Sequence, residues 1–185
     1  MPVSAQVARM LELAAEHGAP KGTKPALFNN FLKSVTPQVR TAFTSRHSSK
    51  RVFQVLSEVF ERVQKHASSE PAVHIRTGEA STSVISRVPD QPFIVDTLLL
   101  ALRTENIGYI SGFNMVLGIR RDDAGQMTGV DGRGDPLESI IFVECQPMDA
   151  GLCEEKAQLI KGRLQLSQAT VSDYESMTQK VVSAA

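Results

Sequence analysis

Apolar positions recur at helical spacing through the first part of the chain, and the period then shortens to two. Over residues 3–17, Val7, Met10, Leu11 and Ala14 share one helical face, and Gly18-Ala19-Pro20 stops the run. Pro25 opens a second helix, in whose first turn a missing N–H costs nothing, and Leu27, Phe28, Phe31 and Leu32 form its apolar side. Thr36-Pro37 predicts a short helix reaching Ala42. Ser48 or Ser49 caps a longer one, with Val52, Phe53, Val55, Leu56, Val59, Phe60 and Val63 as its stripe. That stripe needs a partner surface, and the sheet expected downstream is the obvious one. Ser68-Ser69-Glu70-Pro71 then breaks the composition and predicts a division between a helical extension, residues 1–70, and an α+β domain, residues 71–185.

Beyond the break, β-type runs at 72–77 and 83–88 flank Gly78-Glu79-Ala80 and predict a hairpin. Residues 84–121 form the central unit: a strand, the turn Pro89-Asp90-Gln91-Pro92, an apolar helix, a stop at Asn106-Ile107-Gly108, and a second strand. The helix is expected to open at Asp90 or Gln91 and to bury Phe93, Ile94, Leu98 and Leu102. It is expected to end with Asn106 or Gly108 in the left-handed conformation. In the strand over 109–119, the odd positions (Tyr109, Phe113, Met115, Leu117, Ile119) make the better core face. The even positions (Ile110, Gly112, Asn114, Val116, Gly118) are left for solvent, a ligand or a subunit contact. A turn at Asp123-Ala124-Gly125 extends the hairpin over 126–130, a third β-type run covers 139–145, and helices are expected at 149–166 and 172–182. The order β-β-α-β-β-α predicts a ferredoxin-like antiparallel sheet with helices on one face, preceded by the helical layer. No strand follows the 149 helix, so residues 72–77 are expected to fill the edge beside 83–88 instead.

Aromatic residues are 5% of the chain with no Trp, so the core must be mostly aliphatic. Twenty basic and twenty acidic residues cancel, which argues against a general nucleic-acid or membrane-surface binder. Cys145 and Cys153, the only two cysteines, make no disulfide framework and lack zinc-ligand spacing, so they read as buried small hydrophobes. No secretory signal opens the chain, and no apolar run approaches the ~20 residues that span a bilayer, so a cytoplasmic location is expected.

The glycines at 129, 132 and 134 do not follow the order of a dinucleotide fingerprint and read as a hairpin connection. Arg133-Gly134-Asp135 reads as a chance match to an adhesion tripeptide. The histidines (His17, His47, His66, His74) join no nucleophile arrangement, so no catalytic set is visible. Two features hold candidate chemistry. Arg46, Lys50 and Arg51, with Arg40 and His47 nearby, gather near a helix start, where they read either as a solvated turn or as a contact for an anion or acidic partner. Asp90 and Gln91 precede a helix N-terminus that suits a carboxylate or phosphate, unless Asp90 caps its own helix.

The segment PDQPFIVDTLLLALRTENIG, then VLGIRRDDAGQM, then ESIIFVE resembles the N-terminal region of the large bacterial NAD-specific glutamate dehydrogenases. That region carries an ACT-like domain, a small ferredoxin-like regulatory fold. The matched positions are Asp90, Pro92, Phe93, Ile94, Val95 and Asp96, then Arg121, Asp122 and Gly125, then Glu138, Ser139 and Ile140. The resemblance implies a non-catalytic regulatory or assembly domain, with other domains or subunits of the same enzyme as partners and a homo-oligomer as the assembly. It also implies that NAD belongs to a catalytic domain elsewhere, with no cofactor in this chain. An amino-acid effector would be held by Asp90, Gln91, Phe93 and Asn114. Amino-acid-binding ACT domains usually carry Gly where Phe93 stands, and the family's His-Pro in the next strand is replaced by Asn114-Met115. The alternatives are a free-standing ACT-like ligand or interaction module, a ferredoxin-like RNA-binding module suggested by Gly112-Phe113, and a small enzyme.

Overall fold

The structure, a computed structural model, describes residues 2–66, 70–132, 134 and 136–183, side chains beyond 174 excepted. Ser68 and Ser69 of the expected boundary lie outside the described residues, as do Arg133 and Asp135 of the tripeptide. Four helices come first: α1 (Val3–His17), α2 (Pro25–Val35), the one-turn α3 (Thr41–Thr44) and α4 (Ser49–Val63). A 3-10 turn over Thr36–Gln38 stands between α2 and α3. The helix expected from Thr36 to Ala42 is therefore split, because Val39 and Arg40 are extended. Ser48 caps α4 by accepting the Arg51 N–H, and all seven stripe residues from Val52 to Val63 are buried.

The strands are β1 (Ala72–Thr77), β2 (Thr82–Pro89), β3 (Tyr109–Arg121), β4 (Met127–Asp131) and β5 (Leu137–Cys145). They form one antiparallel sheet in the order β1-β2-β5-β3-β4. Strand β1 does fill the edge beside β2, in place of a strand following the last helix. Helix α5 (Ile94–Thr104) joins β2 to β3, and α6 (Cys153–Ser183) follows a 3-10 turn at Ala150–Leu152. The two helices expected at 149–166 and 172–182 are one, since no Gly or Pro interrupts residues 163–182.

Alternation along the strands gives the sheet two buried faces. Phe113, Met115, Leu117 and Ile119 of β3 join Ile140 and Phe142 of β5 and Ile85 of β2 in a core completed by α1, α2 and α4. Rings interlock there: Phe60 meets Phe28 and Phe31 edge-on at 5.2 and 5.1 Å, and Phe43 meets Phe113 at 5.0 Å. The opposite face packs Val84, Val88, Ile141 and Val143 against Ile94, Leu98 and Leu102 of α5 and Ile160 and Leu164 of α6. A register shift between Tyr109 and Ser111 turns Tyr109 away from the odd face, onto the side of α5. Asn106, at φ 57°, ends the α5 unit in the left-handed conformation, with the Ile107 N–H bonded to the Leu102 carbonyl.

Candidate functional site

The turn between β2 and α5 is the first candidate. Asp90 does not cap α5. Its carboxylate accepts the Ser139 hydroxyl at 2.5 Å, and its N–H is bonded to the Leu137 carbonyl at 3.0 Å, so the turn is tied to β5. The helix therefore opens at Ile94, later than Asp90 or Gln91, with Phe93 in the cap position at φ 66°. Left-handed backbone is costly for a bulky residue. The Phe93 ring is 70% exposed, contrary to the expected burial, whereas Ile94, Leu98 and Leu102 are buried as expected. The Gln91 side-chain nitrogen is shielded from solvent and has no hydrogen-bond partner among the described residues. Asn114 lies on the same sheet face, two residues along β3 from Val116, which pairs with Ser139. Phe93→Gly is expected to raise stability by about 1 kcal/mol, because left-handed strain of about 1–3 kcal/mol is relieved and only glycine's entropy opposes it. A thermal melt of the two proteins measures this.

Beside α5, the outer edge of β3 is open. Strand β4 pairs only with Gly118–Arg121. At Val116 the Gln38 side chain substitutes for a strand: its Oε1 accepts the Val116 N–H at 2.9 Å and its Nε2 donates to the Val116 carbonyl at 3.1 Å. The backbone groups of Gly112 and Asn114 face the same way, and no partner meets them among the described residues. A Cβ on Gly112 would stand 2.6 Å from the Phe142 carbonyl oxygen, so glycine permits the close approach of β5. Above this edge, Arg40, Val95, Leu99, Tyr109 and Asn114 surround a hollow of about 40 Å³. That is far below the roughly 300 Å³ at which small-molecule pockets begin. Leu99, Tyr109 and Ile110 are exposed around it.

The cation cluster is divided. His47 Nε2 lies 3.2 Å and Arg51 Nη2 3.6 Å from the carboxylate of Glu144, which also accepts the Ser81 and Ser111 hydroxyls. Arg51 thus ties α4 to the end of β5. Arg46 and Lys50 remain exposed, and Lys50 lines a groove of about 740 Å³ with Arg51, Arg62, Arg76, Glu58 and Glu61. Arg76 grips Glu58 through two bonds of 2.8 and 2.7 Å. Burial alone would raise the Glu58 pKa, but the hydrogen bonds and charge of Arg76 bring it below its ordinary value. Positive and negative groups alternate along this groove, so it is not a purely anionic receptor. Of the cysteines, Cys145 is buried, which pushes its thiol up to about 12, and Cys153 is half-buried.

One cluster escaped the sequence reading. Glu138 accepts both Nε and Nη2 of Arg87, at 2.8 and 2.7 Å, and both Nε and Nη2 of Arg121, at 2.9 Å each. Arg121 also donates to the carbonyls of Val63 and Gly125, at 2.9 and 3.0 Å. The residue after it, Asp122, fixes the turn through the N–H groups of Ala124 and Gln126. The C-terminus of α4, the β3–β4 turn and the centre of the sheet are thereby locked together. Burial would raise the Glu138 pKa, yet hydrogen bonds from Arg121 and Arg87, with their charges, hold it down at about 2.

The turn bound through Asp90 and Ser139, and the lock of Arg121, Asp122 and Glu138, coincide with the blocks that carry the family resemblance. The chain matches the family described as "Glutamate dehydrogenase, ACT1 domain" over residues 31–160. It belongs to that family. The match runs from within α2 through α3, α4, α5 and every strand, leaves α1 outside, and stops within α6. No curated protein and no solved structure matches the chain. In this ACT1 domain the family blocks do structural work: each marked side chain whose partner is described holds a turn or a strand in place. No helix among the described residues is long and apolar enough to cross a membrane, and no group of three His, Cys, Asp or Glu side chains is arranged to hold a metal ion.

Proposed function

We propose that this ACT1 domain is a regulatory and assembly module of an NAD-dependent glutamate dehydrogenase, acting by docking rather than by chemistry. The open edge of β3 carries the reading. At Gly112 and Asn114 it presents backbone groups that no partner meets among the described residues, beside exposed Leu99, Tyr109 and Ile110, a surface suited to a strand or loop of another domain. Gln38 closes this edge only at Val116, which sets where an incoming segment stops. The turn at Asp90 favours the same reading over effector capture, because the carboxylate is already bonded to Ser139 and Phe93 fills the place where effector-binding ACT domains keep glycine. NAD would be bound by the catalytic region, and regulation would follow from how docking shifts the equilibrium between arrangements of that region.

Amide hydrogen exchange tests this with the protein alone and mixed with the catalytic region of a glutamate dehydrogenase of the family. Protection is expected at residues 109–114 on mixing. A complex that leaves those amides unchanged, or no complex at all, contradicts the proposal.

A further inference from the structure

The outward side of α5 holds a second, separate surface. Asp96, Leu100 and Arg103 are spaced by four and three residues, which places them in one stripe along the helix. All three are exposed, and neither charged group has an ion-pair or hydrogen-bond partner among the described residues. Leu100 is 63% exposed. Helix α6 runs antiparallel to α5, as the Thr97–Ser167 hydrogen bond at 3.2 Å and the Lys156–Glu105 ion pair at 2.9 Å show. Leu166, 69% exposed, therefore comes level with Leu98, within a turn of Leu100, and Leu159, 44% exposed, follows two turns along the same side of α6. Phe93 adds its ring at the start of α5. Large aliphatic side chains in a contiguous exposed patch mark an interaction surface.

The charge pattern of the stripe identifies its partner. A point between Leu99 and Leu100 has Asp96 and Arg103 about 5 Å away on either side along the axis. A two-fold axis through that point sets a second α5 antiparallel to the first. Each Asp96 then faces the Arg103 of the other copy, and Leu100 meets its own symmetry mate. Such self-complementarity is what an isologous contact requires. We infer that two copies of this chain associate through the outward faces of α5 and α6, with Leu100 at the centre and two symmetric Asp96–Arg103 ion pairs beside it. This contact uses the side of α5 away from β3, so the edge of the sheet stays free for the docking proposed above.

Sedimentation equilibrium of the whole protein across a concentration series tests the contact through a charge swap. Asp96→Arg brings like charges together at both symmetric positions, and so does Arg103→Asp. Each alone is expected to weaken the dimer by at least about tenfold in Kd, and the double variant D96R/R103D to recover it. Leu100→Asp is expected to leave only monomer. All four positions changed or paired here are on the surface, and unaltered circular dichroism confirms that each variant is folded. A protein that stays monomeric to hundreds of micromolar, a dimer indifferent to the single reversals, or a double variant that fails to recover overturns the inference. Loss of association with Tyr109→Glu but not with Leu100→Asp also overturns it and assigns the contact to the β3 edge instead.

Discussion

Replacing Glu138 by Gln is expected to cost about 3–5 kcal/mol, the usual penalty for stranding buried charges. Glu138 is 3% exposed, and its carboxylate balances both Arg87 and Arg121. An amide of the same shape keeps some hydrogen bonds but removes the negative charge that both guanidinium groups share. Domains of this size are stable by about 5–15 kcal/mol, so the loss is a large share of the whole. The pH dependence follows from the native pKa of about 2 against an ordinary 4.5. Because the folded value is depressed, the stabilisation is complete above pH 4.5 and disappears as the pH falls towards 2. Its size is about 3 kcal/mol. Urea unfolding at a series of pH values should show a steep loss of wild-type stability in that window and a shallower one for E138Q. Parallel curves would mean that Glu138 does not titrate with a depressed pKa.

Phe60→Ala is expected to be comparably severe, about 3–5 kcal/mol. The ring is fully buried between Phe28 and Phe31, in the core that the helical layer shares with Met115, Leu117 and Phe142 of the sheet. The cavity therefore weakens both layers together. Chemical unfolding followed by amide exchange in α2 and in β5 should give coincident midpoints that shift equally in the variant. Midpoints that separate, with only the helices destabilised, would show that the two layers do not share their stability.

Local periodicity carried much of this fold. The apolar stripe of Val52 to Val63 and the odd face of β3 from Phe113 to Ile119 could be read because each is buried along its length, so spacing alone reports it, whereas Tyr109 lies before the register shift. The edge position of β1 followed from counting strands, since a ferredoxin-like sheet lacking its last strand leaves that place to an antiparallel neighbour of β2. Phe93 misled because an aromatic residue at a helix start reads as an anchor for the core. Its left-handed backbone instead turns the ring outward, and apolar residues at a surface are no anomaly.

The site was less legible because its contacts are long-range. Asp90 meets Ser139 across 49 residues, and Arg87 meets Glu138 across 51, pairings that appear only once β2 and β5 are in register. A signal was nevertheless present. Arg87 stands within an apolar run, two residues from Ile85 and so on the same inward face, where a charge demands a buried partner. Glu138, the acid just ahead of the apolar run at 139–145, meets that demand once β2 and β5 are paired. The cations at Arg46, Lys50 and Arg51 looked uniform in sequence, but only Arg51 reaches Glu144, because the helix turns Lys50 towards the open groove.

On this account the edge of β3 from Tyr109 to Asn114 is a docking face, and Asp90, Phe93 and Asn114 do not capture a free amino acid. Thermal unfolding with glutamate, aspartate and arginine each added to millimolar concentration tests it most directly, since a ligand at a hundred times its Kd would stabilise the native state by about 2.7 kcal/mol. The account predicts a melting temperature unchanged beyond the effect of ionic strength. A saturable rise with one of these amino acids, abolished by Asp90→Ala, would contradict it.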